Sequence, residues 1–300
     1  MLAIGLMSGT SMDGVDAALV RFNDEKVELV DFIILKYDND FKAKIFKNLN
    51  RDTARLDEIS NLNYALGYKF VEAIDVLLAK SNYKYEDISF VASHGQTIWH
   101  DPHGTPPSTL QIGEPSVIAY HTNIKTISNF RTMDIAAGGE GAPLVPFSEY
   151  YQFRSDDKNL VFQNIGGISN LTYLKKGCTL EDILSFDCGV GNIMIDYFTK
   201  MYFGLDYDED GKIALSGKVI PEVLDELIKD EFISKTPPKS TGREAYSQKF
   251  MDDFANKLGF DNFSKNDIIT TITEFTVYGI AYNYKQFIKD IDIAVICGGG

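Results

Sequence analysis

The chain has 300 residues, 44% of them hydrophobic and 24% charged, a globular balance with enough length for two ordinary domains. Its net charge of −14 argues against a general affinity for nucleic acid or anionic lipid, since either needs a basic footprint to neutralise phosphates. Three cysteines, Cys178, Cys188 and Cys297, with no Cys-x-x-Cys pair, argue against a disulfide framework or zinc knuckle and point to a reducing compartment. The first residues lack a basic segment ahead of an apolar one, and no run approaches the roughly 18 apolar residues that span a bilayer. A soluble cytoplasmic protein is expected, with a small polar ligand as partner and neither nucleic acid nor membrane.

In chain order, apolar runs at Leu2 to Met7, Val15 to Phe22 and Val27 to Leu35, separated by turn residues, predict an antiparallel three-stranded meander. Leu56, Ile59, Leu62, Leu66, Phe70, Ile74 and Leu77 recur at helical spacing and predict an amphipathic helix over 54–80. Short strands are expected at Ile88 to Ala92 and Lys125 to Asn129, with a helix near 115–120 between them. The second half repeats the plan, with strands at Leu160 to Ile165, Ile168 to Leu174 and Asp182 to Phe186. Helices follow near 192–203, 219–230, 247–258 and 267–289, then a strand Ile291 to Cys297 that runs into Gly298-Gly299-Gly300. A buried-looking strand ending on a glycine turn reads as a sequence cut short.

The glycine turns are where chemistry is expected. In Ser8 to Gly14, glycines admit a phosphate close to the backbone, Thr10 and Ser11 add hydroxyl donors, and Asp13 is a candidate ligand for hydrated Mg2+. A plain hairpin turn of Gly, Ser and Asp stands beside that reading, and the matching turn at Gly166-Gly167 favours a two-sided polyphosphate clamp. Ser185 to Asn192 ends a strand and opens a helix, so it offers the Asp187 carboxylate as a general base and helix N-terminal amides to an anion. An Asx-turn is the alternative for Asp187. Ser93 to His100 is dense in hydrogen-bonding side chains and reads as a loop for a polyhydroxy substrate. His100 and His103 have no third and fourth ligand at a usual spacing and read as loop residues. Arg131 offers a forked donor to a carboxylate or an ordinary surface ion pair, and the glycines of 137–143 suit a hinge as well as a site.

Taken together, Gly5 to Asp16, Ser93 to Thr97, Ala137 to Pro146, Asn164 to Thr172, Phe186-Asp187 with Gly191-Asn192, and Thr241-Gly242-Arg243-Glu244 resemble the anhydro-N-acetylmuramic acid kinase family. The resemblance runs across the whole chain with the blocks in order. It implies an α/β actin-like ATPase fold of two ribonuclease-H-like domains, over 1–130 and 131–300, each with a mixed five-stranded sheet flanked by helices and with ATP in the cleft between them. It also implies opening of the 1,6-anhydro bond of anhydro-N-acetylmuramic acid and transfer of the ATP γ-phosphate to O6, in cell-wall recycling, by a homodimer. By position, Gly9, Thr10, Ser11, Met12, Asp13, Gly14, Val15 and Asp16 resemble the ATP-phosphate segment, and Asp187 the base that deprotonates the attacking water. Gly166, Gly167, Gly189, Gly191 and Asn192 would form the opposite phosphate wall, and Gly298 and Gly299 would begin the adenosine contact. His94, Gln96, Thr97 and Arg131 are assigned to the sugar and its lactyl carboxylate.

Three departures stand out. Cys188 and Val190 replace the family's usual Thr and Pro beside Asp187, Glu140 replaces a usual Gln, and the family's chain continues past the glycine turn. They motivate the alternative of a non-catalytic or regulatory ATP-binding protein of the same fold. An ATPase with a protein client is disfavoured, because the His94 to Thr97 segment suits a sugar.

Overall fold

The computed structural model describes residues 1–9, 12–23, 26–242 and 245–299. They fall into two compact units, Met1–Leu144 and Val145–Gly300.

The first unit opens with the expected meander, β1 (Leu2–Ser8), β2 (Gly14–Asn23) and β3 (Lys26–Lys36), paired antiparallel in order. Two helices follow, α1 (Asn39–Leu49) and α2 (Leu56–Ser81). The Asp38 carboxylate caps α1 by accepting from Phe41 N–H at 2.8 Å. From Leu62 on the α2 stripe behaves as its spacing predicts: Leu62, Leu66, Phe70, Ile74 and Leu77 are buried in one core with Ile4, Val15, Ala17, Leu19 and Val91. Ile59 packs partly buried against it, and Leu56, at the first position of the helix, is exposed instead.

Next come β4 (Phe90–Asp101), β5 (Ser108–Ile112), α3 (Pro115–Thr122), the two-residue β6 (Thr126–Ile127) and α4 (Phe130–Ala136). β4 lies parallel to β1 on one edge; its other edge pairs with β6 at Val91 and Ala92 and with β5 from Gln96 to Asp101. Ser93 to His100 is therefore strand, not the loop expected. Its inward positions Ser93 and Gln96 are polar, which hides the alternation, and the register slips near Gly95.

The second unit begins with α5 (Val145–Phe153) and repeats the meander as β7 (Leu160–Ile165), β8 (Ile168–Leu174) and β9 (Leu184–Val190). Then follow α6 (Ile193–Phe203), α7 (Lys212–Ser216), α8 (Pro221–Leu227), α9 (Glu231–Ser234), α10 (Gln248–Leu258), α11 (Lys265–Phe287) and β10 (Ile293–Gly298). β10 pairs parallel to β7, as β4 does to β1. Both sheets are thus an antiparallel meander with the next long strand laid parallel to its first, the duplication that the sequence suggested. Among the described residues they carry six and four strands, where the resemblance implied five each. No described helix is long and apolar enough to cross a membrane.

Candidate functional site

The Gly9–Gly14 turn is closed by Met12 N–H, which donates to the Gly9 carbonyl at 3.2 Å. Met12 holds a positive φ of 52° while its side chain lies in the core, so an apolar anchor pins the middle of a polar turn. Thr10 and Ser11 lie outside the described residues. Tyr37 N–H donates to the Asp13 carbonyl at 3.0 Å. Gly14 is a packing glycine: a Cβ there would sit 2.4 Å from the Leu35 carbonyl oxygen. Val15 is fully buried and paired with Leu35 in the sheet, so this expected phosphate contact has no exposed surface.

Beneath the turn runs a buried chain of hydrogen bonds. The Tyr37 hydroxyl donates to Ser8 Oγ at 2.8 Å, and Ser8 Oγ donates to Gln96 Oε1 at 2.6 Å. Gln96 Nε2 donates to the Thr97 carbonyl at 3.2 Å. Ser8 and Gln96 are partners across the β1–β4 ladder, and burial pushes the Tyr37 phenol well above its usual range. Gln96, expected at the sugar, is 1% exposed and both ends of its amide are engaged, so here it props the turn.

His94 and Arg131 form a separate cluster. Arg131 Nε–H donates to His94 Nε2 at 2.9 Å, which makes Nε2 the unprotonated nitrogen; Nδ1 then carries the hydrogen and donates to the Gly95 carbonyl at 3.0 Å. Burial, reinforced by the Arg131 charge, lowers the His94 pKa and keeps the ring neutral. Arg131 Nη1 donates to the Gly141 carbonyl at 2.7 Å, and the Asp134 carboxylate accepts from Gly141 N–H at 2.7 Å. The glycine segment is thereby folded onto α4. Thr97 Oγ1 accepts from Gln111 Nε2 at 3.2 Å. Glu140 is exposed, 3.7 Å from His103.

In the second unit the glycine turn is zipped to the start of α6. Gly191 and Ile193 N–H donate to the Gly167 carbonyl at 2.9 and 3.1 Å, and Asn192 N–H donates to the Gly166 carbonyl at 2.8 Å. The helix-terminal amides expected to face an anion are therefore already engaged, which corrects that part of the sequence reading for Gly191 and Asn192. Gly191 has to be glycine, because a Cβ would lie 2.1 Å from the Gly166 oxygen. Gly298 pairs with Ile165, so the end of β10, followed by Gly299, lies beside the strand that leads into Gly166.

Asp187 sits on β9 just before a register shift that leaves Cys188 unpaired and sets Gly189 opposite Ser169. Thr241 N–H donates to Asp187 Oδ2 at 2.8 Å, and Asp187 N–H donates to the Lys239 carbonyl at 3.1 Å. The block beginning Thr241-Gly242 is thus carried to the carboxylate from more than 50 positions downstream; Arg243 and Glu244 lie outside the described residues. From behind, α11 holds this strand: Asn283 Nδ2 donates to the Cys188 carbonyl at 3.1 Å and Thr276 Oγ1 to the Gly191 carbonyl at 2.9 Å. Burial pushes the Cys188 thiol up to about 12, an inert group despite its position beside Asp187. The sequence reading missed Lys239, which is 8% exposed.

Across residues 1–300 the chain matches the family profile described as anhydro-N-acetylmuramic acid kinase. The chain belongs to the anhydro-N-acetylmuramic acid kinase family. Relatives of that name are 46% identical in Clostridioides difficile (strain 630) and 44% identical in Bacillus thuringiensis subsp. konkukian (strain 97-27), each over 310 aligned residues. These alignments cover 100% of this chain and 80% and 81% of those proteins. Among solved structures, component A of (R)-2-hydroxyglutaryl-CoA dehydratase from Acidaminococcus fermentans aligns at TM-score 0.41 and 13% identity, covering 100% of this chain and 83% of its own. The ROK hexokinase from Thermus thermophilus aligns at 0.33 and 11%, covering 100% and 82%.

A kinase of this family uses ATP, and the donors near the first turn bear on how magnesium fits. Asp13 is exposed and Asp16 half-buried; burial, with the Asp13 charge second, raises the Asp16 pKa. Two crowded carboxylates are hard oxygen donors whose repulsion a divalent cation relieves. Among the described residues no group of three His, Cys, Asp or Glu is placed to hold a metal ion. The set therefore fits an ion that arrives with nucleotide phosphates, the usual mode for Mg2+, rather than an all-protein cage.

Proposed function

We propose that this kinase opens 1,6-anhydro-N-acetylmuramic acid with water and phosphorylates O6, giving N-acetylmuramic acid 6-phosphate for cell-wall recycling. Asp187 is the general base. It takes a proton from the water that attacks C1, the C1–O6 bond breaks, and O6 attacks the γ-phosphorus of ATP as ADP leaves. The observation that carries this reading is the hold on Asp187: a backbone amide on its carboxylate, its own amide tied to Lys239, and a helix buttressing its strand. A base must be aimed before its proton affinity matters.

The backbone of Gly9 to Gly14, and of the Gly166-Gly167 turn with Gly189, grips the phosphates, and Gly298 and Gly299 begin the adenosine contact. Asp13, with Asp16 beside it, would hold the magnesium ion, which supplies charge neutralisation on the phosphate oxygens. His94 and Thr97 bind sugar hydroxyls, and Arg131, with N–H groups beyond those holding His94 and Gly141, takes the lactyl carboxylate. The resemblance further supports a cytoplasmic homodimer with no nucleic-acid or membrane partner.

The test is ADP release that depends on the anhydro sugar. Asp187→Asn is expected to lower turnover by about 10²-fold or more, the scale of a lost general base. Near-normal product formation by that variant would remove Asp187 from the mechanism.

A further inference from the structure

Lys239 is a buried cation in an unusual enclosure. Its ammonium donates to the carbonyls of Ile233 at 2.8 Å and Phe232 at 3.2 Å. The rings of Phe232, Phe287 and Phe186 lie around it, with centroids at 5.1, 5.5 and 5.6 Å. Carbonyl dipoles and ring faces soften the loss of water but supply no full counter-charge, and burying such an ion carries a desolvation penalty. A methionine would fill the same apolar cage without that cost, so packing alone gives no reason for a charge here.

The reason lies one strand away. The Lys239 carbonyl accepts from Asp187 N–H at 3.1 Å, and Thr241, two residues on, donates to the Asp187 carboxylate at 2.8 Å. Phe186, whose ring walls the cage, precedes Asp187 on β9. The same short segment thus carries the cation and grips the carboxylate. Other ionisable groups face this region. Burial lowers the Lys239 pKa; Cys188, Asp187 and Asp230 favour the charged lysine against it, and Lys235 opposes it. Tyr246, whose hydroxyl donates to Asp230 at 2.6 Å, also feels the Asp187 charge.

Resting on the reading of Asp187 as general base, we propose that Lys239 is its positioning residue: the caged ammonium holds Asp187 ionised while the Lys239–Thr241 segment aims it. The Lys239 charge interacts with that of Asp187, and an opposite charge favours the ionised form of a carboxylate. Removing the cation makes Asp187 protonate more readily, so the base is lost at a higher pH.

The experiment is the pH profile of kcat/KM for the anhydro sugar at saturating ATP, in Lys239→Met and Lys239→Gln. Gln keeps hydrogen-bond donors for the Phe232 and Ile233 carbonyls and serves if Met fails to fold, with cooperative thermal unfolding as the check. The acid limb is expected to move to higher pH in either variant, with activity recovering toward higher pH. A folded variant that loses activity equally at every pH, its acid limb unmoved while Asp187→Asn is inactive, overturns the role of Lys239 and leaves Asp187 as base. Near-normal turnover by Asp187→Asn overturns both readings.

Discussion

The two glycine turns occupy equivalent places, each between the first two strands of a meander, yet they are held by different means. Side chains prop the first: Tyr37, Ser8 and Gln96 pass hydrogen bonds beneath it, and Met12 anchors it in the core. The second is held by main chain, its two carbonyls accepting from Gly191, Asn192 and Ile193. A duplicated scaffold therefore specifies where a turn goes without specifying what supports it. Side-chain support is lost atom by atom, whereas this backbone support fails where a Cβ would intrude, as at Gly191.

That contrast is open to measurement. The largest effect is expected at Gly191→Ala, where the new Cβ meets the Gly166 oxygen; a loss of about 1–3 kcal/mol, the scale of overpacking, is to be read from thermal or urea unfolding. Tyr37→Phe removes one neutral hydrogen bond from the first turn and should cost about 1 kcal/mol, with a rise in KM for ATP larger than the fall in kcat. If Tyr37→Phe proves as damaging as Gly191→Ala, the distinction between the two modes of support collapses. Glu140→Gln should have the smallest effect, within about 0.5 kcal/mol and with little change in turnover, because Glu140 is exposed and His103, 3.7 Å away, is exposed too.

The sequence was most legible where burial is apolar and local. The α2 stripe spans 54–80 by spacing and Leu56–Ser81 in the structure, since one face of a long helix meets one core. β4 was legible only at its start, because Ser93 and Gln96 point inward as polar groups and break the alternation that marks a strand. α4 and α5 are too short to display a period. Met1–Leu144 extends past the expected boundary at 130, and α4 is tied back to its unit by Arg131 on His94. Asp187 was visible as a carboxylate between a strand and a helix, but its grip by Lys239 and Thr241 was not. A lysine among Pro237, Pro238, Ser240 and Thr241 looks solvated until the fold encloses it in phenylalanine. The order of amides at the α6 N-terminus was readable too; their capture by the Gly166 and Gly167 carbonyls was not, because it depends on a chain reversal some 25 positions away.

The zipper between that turn and α6 has a mechanical consequence. Three amide-to-carbonyl links join a hairpin tip to the first turn of a helix, and α11 pins the same junction through Thr276. The tip is then not a flap that closes on its own. A force applied at that tip is passed to α6 and α11, whereas the first turn, resting on the side chains of Tyr37, Ser8, Gln96 and Met12, can yield one contact at a time.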